Sequence, residues 1–277
     1  MTPANSADNT PESDTFRELS ATVYANGRCL SRKETIIVEE PLSIRIEGAA
    51  YSLVMRSPGL EKAHVAGFCL SEGIIDGPAG IRDISFCTEA GVNVAAVTLT
   101  SGSREKAGAV LERRGFISQT SCGICGKQMA ADIRQILTPI DTDVKLAGHQ
   151  LMACVERLPD HQHLHRKTRS AHAAMLLDKD LHLLSAAEDV GRHNALDKAV
   201  GAVLLADQLS LATVGVMSSR LSYELVQKAA RAKISILLGI SRPTALAVDL
   251  ARSVHMTLAC VKNQELLIFS GEDRIIA

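Results

Sequence analysis

The segment Ile234-Ser235-Ile236-Leu237-Leu238-Gly239-Ile240 is a short apolar run that ends in Ser241-Arg242-Pro243. Two further apolar runs, residues 211–217 and 256–261, lie on either side of it in the chain. Amphipathic helical patterns separate the three runs. This alternation is typical of parallel strands that are covered on both faces. The sequence therefore predicts an α/β sandwich for the C-terminal part of the chain.

The N-terminal part alternates less regularly between strands and helices, which predicts an α+β arrangement. Residues 42–46 and 51–55 alternate apolar and polar side chains, so they predict a β-hairpin, and residues 92–99 predict another strand. Ser57-Pro58 predicts the start of a helix, with Ser57 as its N-cap.

Helices are predicted over residues 104–114, 127–137, 144–157 and from residue 194 onward, and residues 173–177 and 181–184 predict a second hairpin. Between them, His161, His163 and His165 alternate with other residues. They could form a metal site or a solvated basic loop, of which the loop is the more common outcome.

Three predicted domains divide the chain. Residues 1–18 are polar and acidic with little to bury, so they predict a disordered tail. Residues 19–140 form the N-terminal α+β domain, which ends in a cysteine-containing loop, and residues 141–277 form the C-terminal α/β domain.

Basic residues follow each predicted parallel strand, because the strands end in Ser218-Ser219-Arg220, Ser241-Arg242 and Lys262-Asn263. Arg192 and His193 enter a helix nearby. Ligands of open α/β sheets bind beyond the carboxyl ends of the strands, where helix N-termini favour anions. We therefore expect an anionic, phosphorylated ligand, against the alternative of ordinary helix caps and surface arginines. No GxGxxG follows a strand and no GxxxxGK[ST] occurs, which excludes the standard dinucleotide and P-loop modes.

The segment Thr120-Ser121-Cys122-Gly123-Ile124-Cys125-Gly126-Lys127 presents two thiols beside glycines. Arg113, Arg114 and Lys127 are close in sequence, and nearby cations favour the reactive thiolate. The pattern predicts exposed sulfur chemistry. Half of a zinc site and two ordinary buried cysteines remain alternatives at this point.

Composition narrows the function classes. The chain has 277 residues, 46% of them hydrophobic, and a formal net charge of −1, so no basic excess argues for nucleic acid. No apolar run approaches the length of a membrane span, and the N-terminus does not resemble a signal peptide. Five of the seven cysteines are scattered singly, which is not a disulfide framework and fits a reducing cytoplasm.

Taken together, several segments resemble the FdhD family of formate dehydrogenase accessory sulfurtransferases, from about residue 40 to the end of the chain. The segments that carry the resemblance are residues 67–75 (GFCLSEGII), 122–126 (CGICG), 172–174 (HAA), 188–198 (EDVGRHNALDK) and 222–228 (SYELVQK).

The resemblance implies a cytoplasmic sulfurtransferase that acts as a homodimer. It would accept sulfur from a cysteine desulfurase as a persulfide on Cys122, assisted by Cys125. It would pass that sulfur to the molybdenum (or tungsten) bis(molybdopterin guanine dinucleotide) cofactor that formate dehydrogenase needs. It also implies a three-layer, cytidine-deaminase-like fold for the C-terminal domain.

The cofactor-binding residues combine the strand ends with the turn that the resemblance assigns to the cofactor. They are Arg192, His193, Ser218, Ser219, Arg220, Ser241, Val261, Lys262, Asn263, Gln264, Glu265 and Leu266. The chain departs from the family pattern at three places: Arg169-Ser170-Ala171 and Ser219 stand where glycine is common, and residues 261–265 contain no glycine.

Other classes fit less well. A zinc deaminase needs H-x-E and P-C-x-x-C, whereas His172 is followed by Ala173-Ala174, so no intrinsic metal is expected. A disulfide oxidoreductase would place its CxxC in a βαβ unit. A chaperone that binds the cofactor for formate dehydrogenase without transferring sulfur remains the main alternative.

Overall fold

The computed structural model describes residues 15–105, 107–108 and 137–276. The loop with Cys122 and Cys125 lies outside these residues, as do all but the last residue of the predicted helix over 127–137. Most of the predicted helix over 104–114 also lies outside them, and its described residues, 104–105 and 107–108, are helical.

The strands are β1 (Phe16–Ala25), β2 (Arg28–Ile37), β3 (Glu40–Ile46), β4 (Ala49–Arg56), β5 (Ile81–Glu89), β6 (Val92–Leu99), β7 (Leu146–Ala147), β8 (His172–Leu177), β9 (Leu183–Asp189), β10 (Val214–Arg220), β11 (Ile236–Ser241), β12 (Thr257–Lys262), β13 (Glu265–Ser270) and β14 (Ile275–Ile276). The helices are α1 (Glu61–Ser71), α2 (Gly148–Arg157), α3 (His163–Thr168), α4 (Arg192–Leu205), α5 (Tyr223–Arg231) and α6 (Ala245–Ser253).

The larger sheet has the order β13-β12-β11-β10-β8-β9. Strands β10, β11 and β12 are parallel, which confirms the prediction from the three apolar runs. The remaining neighbours are antiparallel, and the predicted hairpin of residues 173–184 is the pair β8–β9. The molecule is thus a mixed α/β protein.

Both faces of this sheet are buried, and β11 shows why its sequence is apolar throughout. Leu237 belongs to the core shared with α4, α5 and α6, whereas Ile236 and Leu238 belong to a second core shared with α2. Every side chain in the middle of the strand therefore contacts a core, so alternation of polar and apolar residues is absent.

A smaller sheet, in the order β4-β3-β6-β5, forms the N-terminal part. Its β3–β4 hairpin confirms the pattern of residues 42–55, and β6 lies parallel to β3. Leu42, Ile44 and Ile46 are fully buried in the same core as helix α1, which packs against α4.

Two predicted helix starts are wrong. Ser57 is not an N-cap, because α1 begins at Glu61 after Leu60, which has a left-handed φ of 58°. The Ser57 hydroxyl instead accepts a hydrogen bond from the Val190 N–H at 3.0 Å. Helix α2 begins at Gly148 rather than at residue 144, because the preceding residues form β7 and pair with β14.

Two segments predicted without regular structure are ordered. The prediction of a solvated basic loop is wrong for residues 163–168, which form α3. The Glu188 carboxylate stabilises the start of this helix, because it accepts hydrogen bonds from the N–H groups of Leu164 and His165 at 2.7 and 2.8 Å. Strand β1 begins at Phe16, inside the predicted tail, and forms an exposed hairpin with β2. Among the described helices, none combines the length and apolar character needed to cross a membrane.

Candidate functional site

The structure brings the predicted strand ends together. Strands β10 and β11 run parallel, and Arg220 pairs with Ser241 where both strands end. The register shifts between Met217 and Arg220, so Ser218 and Ser219 leave the regular ladder. Such irregularities re-aim side chains near functional sites. We call this end of the sheet, together with residues 191–194, the strand-end edge.

Strand β12 brings Lys262 to the same edge, because it is the parallel neighbour of β11. Burial raises the pKa of the nearby Cys260 thiol, and the positive charges of Arg242 and Lys262 oppose that shift, so both cations lie close to this thiol. Arg220, Ser241, Arg242 and Lys262 are all exposed. A concentration of positive charge on one edge favours an anionic ligand.

Strand β8, the antiparallel neighbour of β10, fixes the position of one serine hydroxyl at this edge. The Ala173 N–H donates to Ser218 Oγ at 2.7 Å, which holds that hydroxyl at the edge. Ser219 is buried, and its hydroxyl donates to its neighbour's carbonyl, Arg220 O, at 3.2 Å. Ser218 is therefore better placed than Ser219 to contact a ligand.

Helix α4 starts at this edge with Arg192. The Arg192 Nε atom is buried and has no hydrogen-bond acceptor among the residues that the structure describes. A buried donor without an acceptor is costly, and a ligand oxygen would satisfy it. The helix N-terminus adds further N–H groups that favour negative charge.

His172, the first residue of β8, lies in the same region. Burial lowers its pKa, and the positive charges of Arg192, His165 and His193 lower it further. His172 is therefore a neutral side chain at neutral pH and adds no positive charge to the edge.

The environment of His193 is not predicted by the sequence. Its Nε2 lies 2.8 Å from Glu224 Oε2 and 3.3 Å from Ser222 Oγ, at the start of α5. The hydrogen bond with His193 lowers the pKa of the Glu224 carboxyl. The only sequence signal for this contact was Ser222 with Glu224 two residues later, a serine and a first-turn acid that by themselves indicate a helix start.

The predicted cofactor turn is the tight connection between β12 and β13. Asn263 and Gln264 both have positive φ, 51° and 62°, between the paired residues Lys262 and Glu265. This is the backbone of a two-residue type I′ hairpin, in which glycine or asparagine is usual.

The other two residues predicted for this turn pack against the protein. Val261 and Leu266 are half-buried and contact the second core. The structure therefore gives them a packing role, and of this turn it leaves residues 262–265 exposed to a ligand.

A possible metal cluster lies elsewhere in the described part of the chain. Asp178, Asp180 and His182 have ligand atoms within 4.8 Å of one another at the β8–β9 turn. Asp178 Oδ1 accepts the backbone N–H groups of Asp180 and His182, so the cluster is explained by the hairpin turn. His161, His163 and His165 belong to no such group within the residues described.

Comparisons with known proteins agree on the family. The model of the FdhD/NarQ family matches residues 37–276. A relative from Mycolicibacterium paratuberculosis named sulfur carrier protein FdhD is 38% identical over 259 residues, which cover 90% of this chain and 94% of the relative. A relative of the same name from Streptomyces avermitilis is 36% identical over 259 residues, covering 90% and 92%.

The fold agrees as well. The crystal structure of a candidate formate dehydrogenase accessory protein from Desulfotalea psychrophila has a TM-score of 0.75. It is 22% identical, and the match covers 95% of this chain and 100% of that one. With a family model that spans most of the sequence and relatives matched over nearly their whole length, this chain belongs to the FdhD/NarQ family.

Proposed function

We propose that this chain is a sulfurtransferase that carries sulfur for the maturation of formate dehydrogenase. Cys122 would receive sulfur from a cysteine desulfurase and deliver it to the molybdenum bis(molybdopterin guanine dinucleotide) bound at the strand-end edge. The name of the relatives, sulfur carrier protein, and their match over about nine tenths of this chain support the sulfur-carrier part.

Sulfur transfer to Cys122 is a thiol exchange. The Cys122 thiolate attacks the outer sulfur of the desulfurase persulfide, the old sulfur–sulfur bond breaks, and the desulfurase thiolate leaves. The product is a Cys122 persulfide, and no net oxidation occurs. Arg113, Arg114 and Lys127 are close to Cys122 in sequence and would favour the attacking thiolate, and Cys125 supplies a second thiol three residues along the chain.

The proposal that the cofactor binds at the strand-end edge depends mainly on Arg192. Its buried Nε has no acceptor within the described protein. Arg192 follows the end of β9, and strand β8 joins β9 to β10, so Arg192 lies at the same edge of the sheet as Arg220. A pyrophosphate offers oxygens for these donors, with Ser218 and Ser241 as neutral hydrogen-bond partners. The donor set therefore fits the phosphates of a guanine dinucleotide.

GDP is a suitable probe for this site. Arg220→Ala should weaken GDP binding about ten- to hundredfold, because one charge-assisted phosphate contact contributes about 1.5–3 kcal/mol. Arg82→Ala is the matched control, since Arg82 is an exposed arginine on the N-terminal sheet. Calorimetric titration compares the variants, and unchanged affinity in a folded Arg220→Ala protein would contradict the assignment of this edge.

A persulfide assay on Cys122, run alongside the GDP titration, separates the carrier from the chaperone that remained as an alternative. Both functions require ligand binding at the strand-end edge. Only the carrier requires Cys122 to hold sulfane sulfur, so GDP binding without persulfide on Cys122 would favour the chaperone.

A further inference from the structure

The Asp189 carboxylate is the most heavily bonded acidic group in the described structure. It lies at the end of β9 with no exposed surface. Its Oδ1 accepts the Gly191 N–H at 2.8 Å and the Asn194 amide at 2.9 Å. Its Oδ2 accepts the Ser57 N–H at 3.0 Å and pairs with Lys198 Nζ at 2.7 Å.

Two of these donors, Gly191 and Asn194, enclose the first residues of α4. Arg192 and His193 lie between them in the chain. With a fixed hydrogen bond on each side, the backbone at Arg192 and His193 has little freedom. The direction in which both side chains leave the helix therefore depends on Asp189.

The other donors connect this turn to the N-terminal sheet. Lys198 Nζ also donates to Ser57 O at 2.8 Å, and the Val190 N–H donates to Ser57 Oγ at 3.0 Å. The Asn194 amide donates to Met55 O at 2.8 Å. The end of β4 and the turn before α4 thus form one hydrogen-bonded unit.

A buried ion pair is an unusual means of joining two segments. Burial lowers the pKa of Lys198 in spite of the opposing charge of Asp189, so the pair is strongly desolvated. Apolar residues of similar volume often stabilise a protein as well as or better than such a pair. Apolar side chains could not replace the directional hydrogen bonds of the Asp189 carboxylate, which hold the N–H groups of Ser57 and Gly191 at defined positions.

We infer that Asp189 is a positioning residue for the anion site, and that the residue 55–57 segment of the N-terminal sheet is part of its support. Asp189 acts through Arg192 and His193, and it contacts no ligand itself. The inference rests on the proposed function and assigns to its ligand site a support that comes from the other sheet.

The test compares two buried aspartates of one region. Asp197 is also buried, and it accepts Lys228 Nζ and Ser71 Oγ, each at 2.7 Å. Its described hydrogen bonds do not reach residues 189–194. Asp197→Asn is therefore a control for the general loss of a buried ion pair.

Calorimetric titration with GDP, below the unfolding temperature of every variant, provides the main readout. Asp189→Asn should raise the Kd at least about tenfold, Ser57→Ala about threefold, and Asp197→Asn less than about twofold. If Asp189→Asn does not fold, Asn194→Ala decides the matter, because it removes the side-chain amide that joins Asp189 Oδ1 to Met55 O, and it should raise the Kd at least about threefold. Wild-type affinity in that folded variant, or an equal loss in Asp197→Asn, would overturn the inference.

A double-mutant cycle asks whether Asp189 acts through Arg192. In the Arg192→Ala background, Asp189→Asn should have a clearly smaller effect on GDP affinity than in wild type, because one of the two side chains that it positions is gone. Fully additive losses would overturn the positioning role. If wild-type protein does not bind GDP, that result contradicts both the proposed ligand and this inference. Binding by wild type with no loss in Asp189→Asn overturns the inference alone.

Discussion

The crossing of α1 and α4 leaves no room for a side chain at Gly67. A Cβ atom placed there would lie 1.9 Å from Asp197 O and 2.9 Å from Gly201 N. The opposite helix has the same constraint, since a Cβ on Gly201 would lie 1.7 Å from Ala63 O. The two backbones are therefore in direct contact, and Gly67→Ala must push them apart.

The size of the effect follows from these distances. An ordinary Cβ contact begins at 3.4 Å, so the helices must separate by about 1.5 Å. That movement would break the 2.7 Å hydrogen bond from Ser71 Oγ on α1 to Asp197 on α4. Overpacking alone costs about 1–3 kcal/mol. With this buried hydrogen bond also lost, we expect a decrease of at least about 3 kcal/mol in the free energy of unfolding.

Urea denaturation monitored by circular dichroism measures this decrease. Gly77→Ala is the control, because Gly77 has an extended φ of −175° and no atom within 4 Å of an added Cβ. The control should remain within about 0.5 kcal/mol of wild type. A Gly67→Ala protein within about 1 kcal/mol of wild type would refute the reasoning, because a backbone contact this close must then relax at little cost.

Two further predictions concern pH and metal. Burial, followed by the charges of Lys198, Lys228 and Arg56, lowers the pKa of His64 well below its usual value. Below about pH 6.5 only the unfolded state takes up this proton. The free energy of unfolding should therefore decrease as the pH is lowered, by up to about 1.4 kcal/mol per pH unit. His64→Leu should show a smaller fall between pH 7 and 5.5 in urea titrations, and an unchanged slope would count against this assignment. Separately, protein purified without added metal should lack stoichiometric zinc by elemental analysis. About one zinc per chain would contradict this expectation and support a zinc site in this protein.

Local sequence patterns were sufficient for the architecture near the strand ends. The apolar run around Leu237 predicted a strand buried on both faces, and the structure assigns neighbouring residues to two different cores. Parallel direction then placed Arg220, Ser241 and Lys262 at one edge, as the geometry of parallel strands requires.

Contacts between distant segments could not be read from such patterns. Ser57 has the residue type and spacing of an N-cap, yet its partners are Val190 and Asp189, more than a hundred residues away. Gly67 fits a helix face in sequence, and only the position of Gly201 shows that its missing side chain matters. The orphaned Nε of Arg192 likewise depends on how neighbouring elements bury it.

The most direct test of the account is the mass of the intact protein after incubation with a cysteine desulfurase and cysteine. Wild type and Cys87→Ala, which lacks an exposed cysteine of the N-terminal sheet, should each gain the mass of one sulfur atom. Cys122→Ala should gain none and should fail to support formate dehydrogenase maturation. A Cys122→Ala protein that gains sulfur and matures the enzyme as wild type does would contradict the central claim.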